Sequence, residues 1–119
     1  MYGLPPDFDA NVFVGRELER ICFTANSVIF HFDRNILIDT SYDFAHYSGM
    51  EGKAEDIQQI PVSESSVMQI IGHKVEHAEA ERDGTLLLRF DNDKHLVFYD
   101  AGQQYEAYYI KIGDKTTIV

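Results

Sequence analysis

Five histidines are the residues best suited to metal or acid–base chemistry: His31, His46, His73, His77 and His95. His73 and His77 lie four positions apart, the spacing of two zinc ligands on one helical turn. The order here is His-Lys-Val-Glu-His rather than His-Glu-x-x-His, and the surrounding pattern is that of a strand. The chain has one cysteine, so no cysteine cluster completes a zinc site. We therefore expect surface histidines, with no metal and no cofactor.

Nucleophilic catalysis has no recognisable signature in the sequence. Ser63, Ser65 and Ser66 lie where a helix is expected to begin, and capping of that helix accounts for them. No Gly-x-Ser-x-Gly elbow and no phosphate-binding glycine loop occur. Asp91 and Asp93 fall in a turn, where aspartate is favoured for its backbone conformation. The sequence therefore predicts a protein that is not an enzyme.

The best candidate for a binding surface combines tyrosines with an arginine, the mixture typical of protein interfaces. Outward-facing residues of the central strands are predicted to join an aromatic segment near the C-terminus on one concave surface. A tyrosine of the first half would take the equivalent place there. The predicted binding residues are Arg89, His31, Tyr105, Glu106, Tyr108 and Tyr42. The alternative is that the rings are packing residues and that Arg89 pairs with Glu106.

Two similar stretches position these residues. Gly15–Ile38 and Gly72–Phe98 each begin with a glycine, and apolar residues follow three, six and eight positions later. The glycines are 57 positions apart (72 minus 15), and a Phe-Asp pair recurs at Phe32 and Phe90. Similar meanders can arise by chance, but this shared spacing favours an internal duplication.

Each copy contains the period-two alternation of a strand with one buried face. A step of three between the first apolar positions breaks that alternation, which predicts a β-bulge or a helical turn running into the strand. The predicted core residues are Leu18, Ile21, Phe23, Val28, Phe30, Phe32, Ile36, Ile38, Val67, Ile70, Ile71, Val75, Leu86, Leu88, Phe90, Leu96 and Phe98.

A short helix is expected before each glycine, over about 7–14 and 64–71, because proline or serine precedes each segment. The predicted fold class is therefore α+β: an antiparallel sheet or small barrel-like sandwich made of two helix-plus-meander repeats. We expect a single domain over 1–119.

The predicted repeats are about 4–47 and 60–110, joined by a loop at 48–56. A hairpin turning at Gly113-Asp114 is expected to close the chain, with 116–119 as its last strand.

The net charge of −10, from 20 acidic and 10 basic residues, excludes a basic nucleic-acid-binding protein. It favours a basic protein partner, although solubility alone also accounts for it. No apolar run approaches the length of about 20 residues that spans a membrane. The N-terminus has no signal-peptide pattern, and the single cysteine agrees with a reducing compartment, so we expect a cytoplasmic protein.

Three short motifs occur in order along the chain: Gly-Arg-Glu-Leu from Gly15, Arg-Phe-Asp from Arg89 and Tyr-Glu-Ala-Tyr from Tyr105. This order resembles a family of small uncharacterised bacterial domains, and the resemblance covers most of the chain from Gly15 onward. The chain has Tyr108 where that pattern has tryptophan. The resemblance implies a domain of unknown function and carries over no activity.

Three functions agree with these features. The first is a non-catalytic acidic interaction protein, such as an inhibitor or immunity-like partner of a basic protein. The second is a small-molecule binding module with a pocket between the halves. The third is a self-associating structural protein, in which an exposed strand near the C-terminus pairs across a homodimer.

Overall fold

Ten strands account for half of the residues that the computed structural model describes, which are 3–48, 56–58, 60, 67–100 and 106–119. They are β1 (Leu18–Phe23), β2 (Val28–Phe32), β3 (Ile36–Thr40), β4 (Phe44–Ser48), β5 (Asp56–Gln58), β6 (Val75–Ala80), β7 (Leu86–Phe90), β8 (Lys94–Phe98), β9 (Tyr108–Ile112) and β10 (Lys115–Ile118). All their pairings are antiparallel. Sheet 1 has the order β1-β2-β3-β9-β10, and sheet 2 has the order β5-β4-β8-β7-β6.

The two halves of the chain exchange strands. Each half forms a three-stranded meander, and its last two strands then join the other sheet: β9 pairs with β3, and β4 pairs with β8. The first hairpins have equivalent registers, with Leu18 opposite Phe32 in one and Val75 opposite Phe90 in the other. Residues that occupy the same place in the two halves are called matched below.

The sheets meet where β1 and β6 begin. Glu17 and Lys74, which are matched, form an isolated antiparallel bridge. On either side of it, the Gly15 N–H donates to the Val75 carbonyl at 2.8 Å, and the Gly72 N–H donates to the carbonyl of β1's first residue at 2.7 Å. Both glycines have positive φ, of 83° and 88°, which glycine adopts without steric cost. These bonds hold the two meanders side by side.

Aromatic rings from both sheets fill the space between them. The Phe30 ring of sheet 1 contacts Phe44 and Phe98 of sheet 2 edge to face, with centroids 5.3 and 5.2 Å apart. All three side chains are fully buried. Pairs with this geometry stabilise a core by about 0.5–1.5 kcal/mol beyond the area that they bury. Inward-facing residues of every described meander strand thus meet in one core.

The predicted α+β class is wrong, because the described residues are nearly all β. Where helices were expected, 3₁₀ turns of four residues occur at Ala10–Phe13 and Val67–Ile70; residues 64–66 lie outside the described part. The left-handed glycine comes two residues after each turn and ends the segment there, and a single turn this short commonly forms as a 3₁₀ helix. Each turn still buries its last residue, Phe13 or Ile70.

Other strand predictions are confirmed in detail. The step of three is a β-bulge in both halves, between Leu18 and Arg20 and between Val75 and His77. The C-terminal hairpin turns at 113–114 as expected. Residues 49–55 of the predicted joining loop lie outside the described part, and β5 begins where that loop was expected to end.

Two predicted core residues are exposed. Phe23 is 42% exposed because it lies at the end of edge strand β1, beyond the cover of the opposite sheet. Ile71 is also 42% exposed, since the 3₁₀ turn ends before it and does not place it on the face that an α-helix would.

None of the helical segments in the described ranges is long and apolar enough to cross a membrane.

Candidate functional site

The outer face of sheet 1 carries cationic side chains in one row across the strands. Arg20 lies opposite His31, His31 opposite Leu37, and Leu37 opposite Lys111. In β2 and β3, buried side chains alternate with half-buried ones. The buried ones face the core, so His31 and Leu37 face outward. We call this row, with the residues around it, the cationic groove. Arg20 and Lys111 are exposed, whereas His31 and Leu37 are half-buried.

The cationic groove encloses about 630 Å³ and lies between two turns of sheet 1. In the β2–β3 turn, Arg34 and Asn35 have φ of 61° and 60°, the left-handed pair of a type I′ hairpin. The Gly113 N–H of the β9–β10 turn donates to the Asn35 carbonyl at 3.0 Å. One end of the groove is therefore built from hydrogen-bonded backbone.

The charges in the cationic groove are not neutralised by ion pairs within the described structure. Arg20 Nη2 lies 3.5 Å from His31 Nε2. The pKa of His31 is lowered by burial and by the Arg20 charge, and Asp39 opposes the shift. A neutral His31 ring accepts from Arg20 through Nε2. No described carboxylate lies within 4.0 Å of the cationic atoms of Arg20 or Lys111, although Glu19 and Asp114 also line the groove.

The matched region of sheet 2 has its own carboxylates. His77, matched with Arg20, lies 2.8 Å from Glu79 through Nε2. Arg89, matched with His31, has its Nε 3.7 Å from Glu76. The outer face is also covered further along the strands, since Val97 is 4% and Ala45 0% exposed. Within the described part of sheet 2, the residues matched with Arg20 and His31 therefore each lie near a carboxylate.

The β6–β7 hairpin carries a concentration of negative charge. Its four carboxylates, Glu76, Glu79, Glu81 and Asp83, are all exposed, and Arg82 is the single cation among residues 76–83. We call these four the acidic hairpin. The matched stretch of β1 and its turn, residues 19–26, has one acidic and one basic residue. This local excess of negative charge is thus found in the β6–β7 hairpin and not in the matched stretch of the first half.

The predicted binding residues do not come together on one surface. His31 lies on the outer face of sheet 1, and Arg89 lies on that of sheet 2. Arg89 contacts Glu76 and not Glu106, so the alternative ion pair is not formed either. Glu106 and Tyr42 are exposed. Tyr105 lies outside the described residues.

Tyr108 belongs to the core. It is 2% exposed, its ring packs on Phe98 with centroids 5.6 Å apart, and its hydroxyl donates to the Gly84 carbonyl. Burial raises the pKa of its hydroxyl, and Asp100 and Asp83 raise it further. Its role is to connect sheet 1 to the β6–β7 turn.

Sequence reasoning missed Arg20 and Lys111. The available signal was alternation: Ile110 and Ile112 point toward the core side, which leaves Lys111 outside. The bulge in β1 hid Arg20, because it shifts the alternation by one residue. The groove also depends on the pairing of β9 with β3, and no short-range pattern in the sequence indicates that pairing.

Metal chemistry has no support among the described residues, where no group of three potential ligands occurs. His73 instead forms a hydrogen bond with Asp91, with Nδ1 and Oδ1 2.7 Å apart. This hydrogen bond lowers the pKa of Asp91.

Comparison with known proteins gives a family and nothing further. No curated protein and no solved structure matches the chain significantly. A family model matches residues 10–119, from the first 3₁₀ turn to the end of the chain. The chain therefore belongs to a family of unknown function, DUF6188.

Proposed function

We propose that this protein is a non-catalytic interaction protein whose acidic hairpin binds a basic surface of a partner protein. The observation that supports it most is the difference between the matched hairpins. Residues 76–83 hold four exposed carboxylates, whereas the matched residues of β1 are balanced in charge. Complementary charge of this kind raises association rates and selects partners.

Geometry makes the acidic hairpin available for such contact. β6 is the edge strand of sheet 2, and Glu76 and Glu79 have side chains 53% and 58% exposed. These two carboxylates already contact Arg89 and His77, but exposed pairs of this kind contribute little and exchange readily for another cation. The two halves are further proposed to be copies of one unit, supported by their equivalent registers and bulges.

The test compares two double charge reversals that change net charge equally. Glu79→Lys/Glu81→Lys alters the acidic hairpin, and Asp7→Lys/Glu106→Lys alters exposed carboxylates elsewhere. Immobilised proteins are incubated with native-host extract at about 50 and 500 mM salt, since screening weakens exposed charge pairs. We expect a basic protein at near-equal stoichiometry with the unmodified protein and the second variant. It should be lost with the hairpin variant and at high salt.

Circular dichroism and thermal unfolding confirm beforehand that both variants are folded. Equal retention of the captured protein by the hairpin variant would contradict the proposed surface. Capture that is unchanged at high salt would contradict the electrostatic mechanism. Absence of any stoichiometric protein would count against the function itself.

A further inference from the structure

The cationic groove of sheet 1 is separate from the acidic hairpin and has a different chemistry. Its volume of about 630 Å³ falls within the range of about 300–1,000 Å³ that is typical of small-molecule sites. The side chains of its row change in character from one strand to the next across the sheet. A cation and a histidine lie at one end, Leu37 lies in the middle, and Lys111 lies at the other end.

On sheet 2, the residue matched with Arg20 shows what this position contacts when a carboxylate is nearby. There Glu79 lies against His77, the residue matched with Arg20. The position on sheet 1 that is matched with Glu79 is Cys22, which provides no negative charge. Arg20 therefore lacks the carboxylate that its counterpart has.

The geometry points to a binding site for a small organic carboxylate in this groove, with Arg20 as the contact of its carboxylate group, Leu37 beneath its apolar body and the Lys111 charge at the other end of the groove. Arg20 presents a planar set of donors that matches a carboxylate in two-point contact. His31 Nε2 lies 3.5 Å from Arg20 Nη2 and accepts from one of these donors, which leaves the other donors of the guanidinium for a ligand.

Leu37 distinguishes between anions. Glu19 and Asp114 line the same groove and oppose the attraction of Arg20 and Lys111 for a negative charge. Because attraction and repulsion both scale with ligand charge, charge alone does not separate a phosphate dianion from a carboxylate monoanion. The apolar surface of Leu37 favours a ligand with a hydrocarbon body, which inorganic phosphate lacks. The groove therefore selects a small organic carboxylate over inorganic phosphate.

The test is a two-dimensional ¹H–¹⁵N NMR titration of the full chain at pH 7 with butyrate, benzoate and inorganic phosphate. We expect saturable shifts of the amides of His31, Leu37 and Lys111 with a carboxylate. Loss of a charged hydrogen bond of about 1.5–3 kcal/mol corresponds to an affinity about 10- to 100-fold lower in Arg20→Gln. Lys111→Gln should weaken binding in the same direction.

The matched control is Arg89→Gln, which removes the arginine of sheet 2 and should leave the affinity unchanged. The spectrum of each variant also shows whether it is folded. If Arg20→Gln is not folded, Lys111→Gln still tests the site. No shift in the groove with either carboxylate up to about 50 mM would overturn the site. Equal affinity in Lys111→Gln and the unmodified protein would overturn the assigned contacts. Tighter binding of phosphate than of both carboxylates would overturn the ligand class.

Discussion

The outer faces of the two sheets have the same strand arrangement but differ in how their charges are paired. On sheet 1, Arg20 and His31 face an open groove without a carboxylate within ion-pair distance in the described structure. On sheet 2, the matched His77 and Arg89 contact Glu79 and Glu76. Backbone pairing therefore does not decide what a face binds, because side chains on an outer face change without disturbing the core.

The contrast extends along both faces. Asp39 and Tyr109 of sheet 1 are matched with Val97 and Ala45 of sheet 2. Tyr109 is 37% exposed, whereas Val97 and Ala45 are buried. Small apolar side chains suit a covered face, and an aspartate paired with a tyrosine suits an open one. At these positions the outer face of sheet 1 is open to solvent, whereas that of sheet 2 is covered.

The largest expected effect tests whether the interiors are as alike as the registers. Phe32 and Phe90 are matched, 3% and 0% exposed, and face the same core. Substitution of either by alanine should lower the free energy of unfolding by about 3–5 kcal/mol, since each leaves a cavity. Urea denaturation measures the free energy of unfolding of both variants. Phe23→Ala, at a residue 42% exposed, is the control and should cost less than about 1 kcal/mol.

If Phe32→Ala and Phe90→Ala differed by more than about 2 kcal/mol, the two halves would not share the core equally.

The next effect tests a place where the matched core residues differ. Phe44 of β4 is matched with Tyr108 of β9, which adds a hydroxyl that donates to the Gly84 carbonyl. Tyr108→Phe should lower the free energy of unfolding by about 1–3 kcal/mol, because the carbonyl loses its buried donor. Tyr109→Phe removes a hydroxyl that lies at the surface near Asp39, and it should change this free energy by less than about 0.5 kcal/mol. Similar values for both tyrosines would show that Tyr108 is not an essential connection.

The smallest expected effect concerns the histidine of each outer face. Burial lowers the pKa of His31 on sheet 1 and of His95 on sheet 2; Arg20 and Arg89 lower them further, against opposing shifts from Asp39 and Asp93. Below the unfolded pKa of about 6.5, the unfolded chain binds more protons than the folded one. Stability from both histidines is therefore present above that pH and is lost as the pH falls.

His31→Gln/His95→Gln should flatten the decline in melting temperature between about pH 7 and pH 5. His77→Gln, at an exposed position of the acidic hairpin strand, serves as the control. The single variants His31→Gln and His95→Gln show which sheet contributes more to this pH dependence of the melting temperature. A steeper decline in the double variant would mean that the folded state favours protonated histidine, contrary to the burial argument.

Local pattern predicted much of this fold. Alternation located the meander strands, the three-residue step located both bulges, and Gly72 has the left-handed conformation expected of it. These features are set by the chain's immediate neighbours, which is why sequence reasoning found them. The helices were predicted wrongly because a short apolar segment before a glycine suits a 3₁₀ turn as well as a helix.

The candidate sites were predicted less well. His31 and Arg89 were correctly expected to face outward, but they lie on different sheets. The expected common surface required the outward sides of β2 and β7 to lie on one face, but these strands belong to different sheets. Strand exchange places β9 beside β3 instead, and it brings Lys111 into the row with Arg20.

The sequence by itself determined the strands, their buried sides, the excess of negative charge and the similarity of the halves. Each of these depends on residue type and near-neighbour spacing. The tertiary structure alone decided which strands became neighbours, and hence that Arg20, His31 and Lys111 share one groove while Arg89 is paired elsewhere. The physical reason is that pairing between distant strands is set by how the whole apolar core closes, and local patterns carry no information on it.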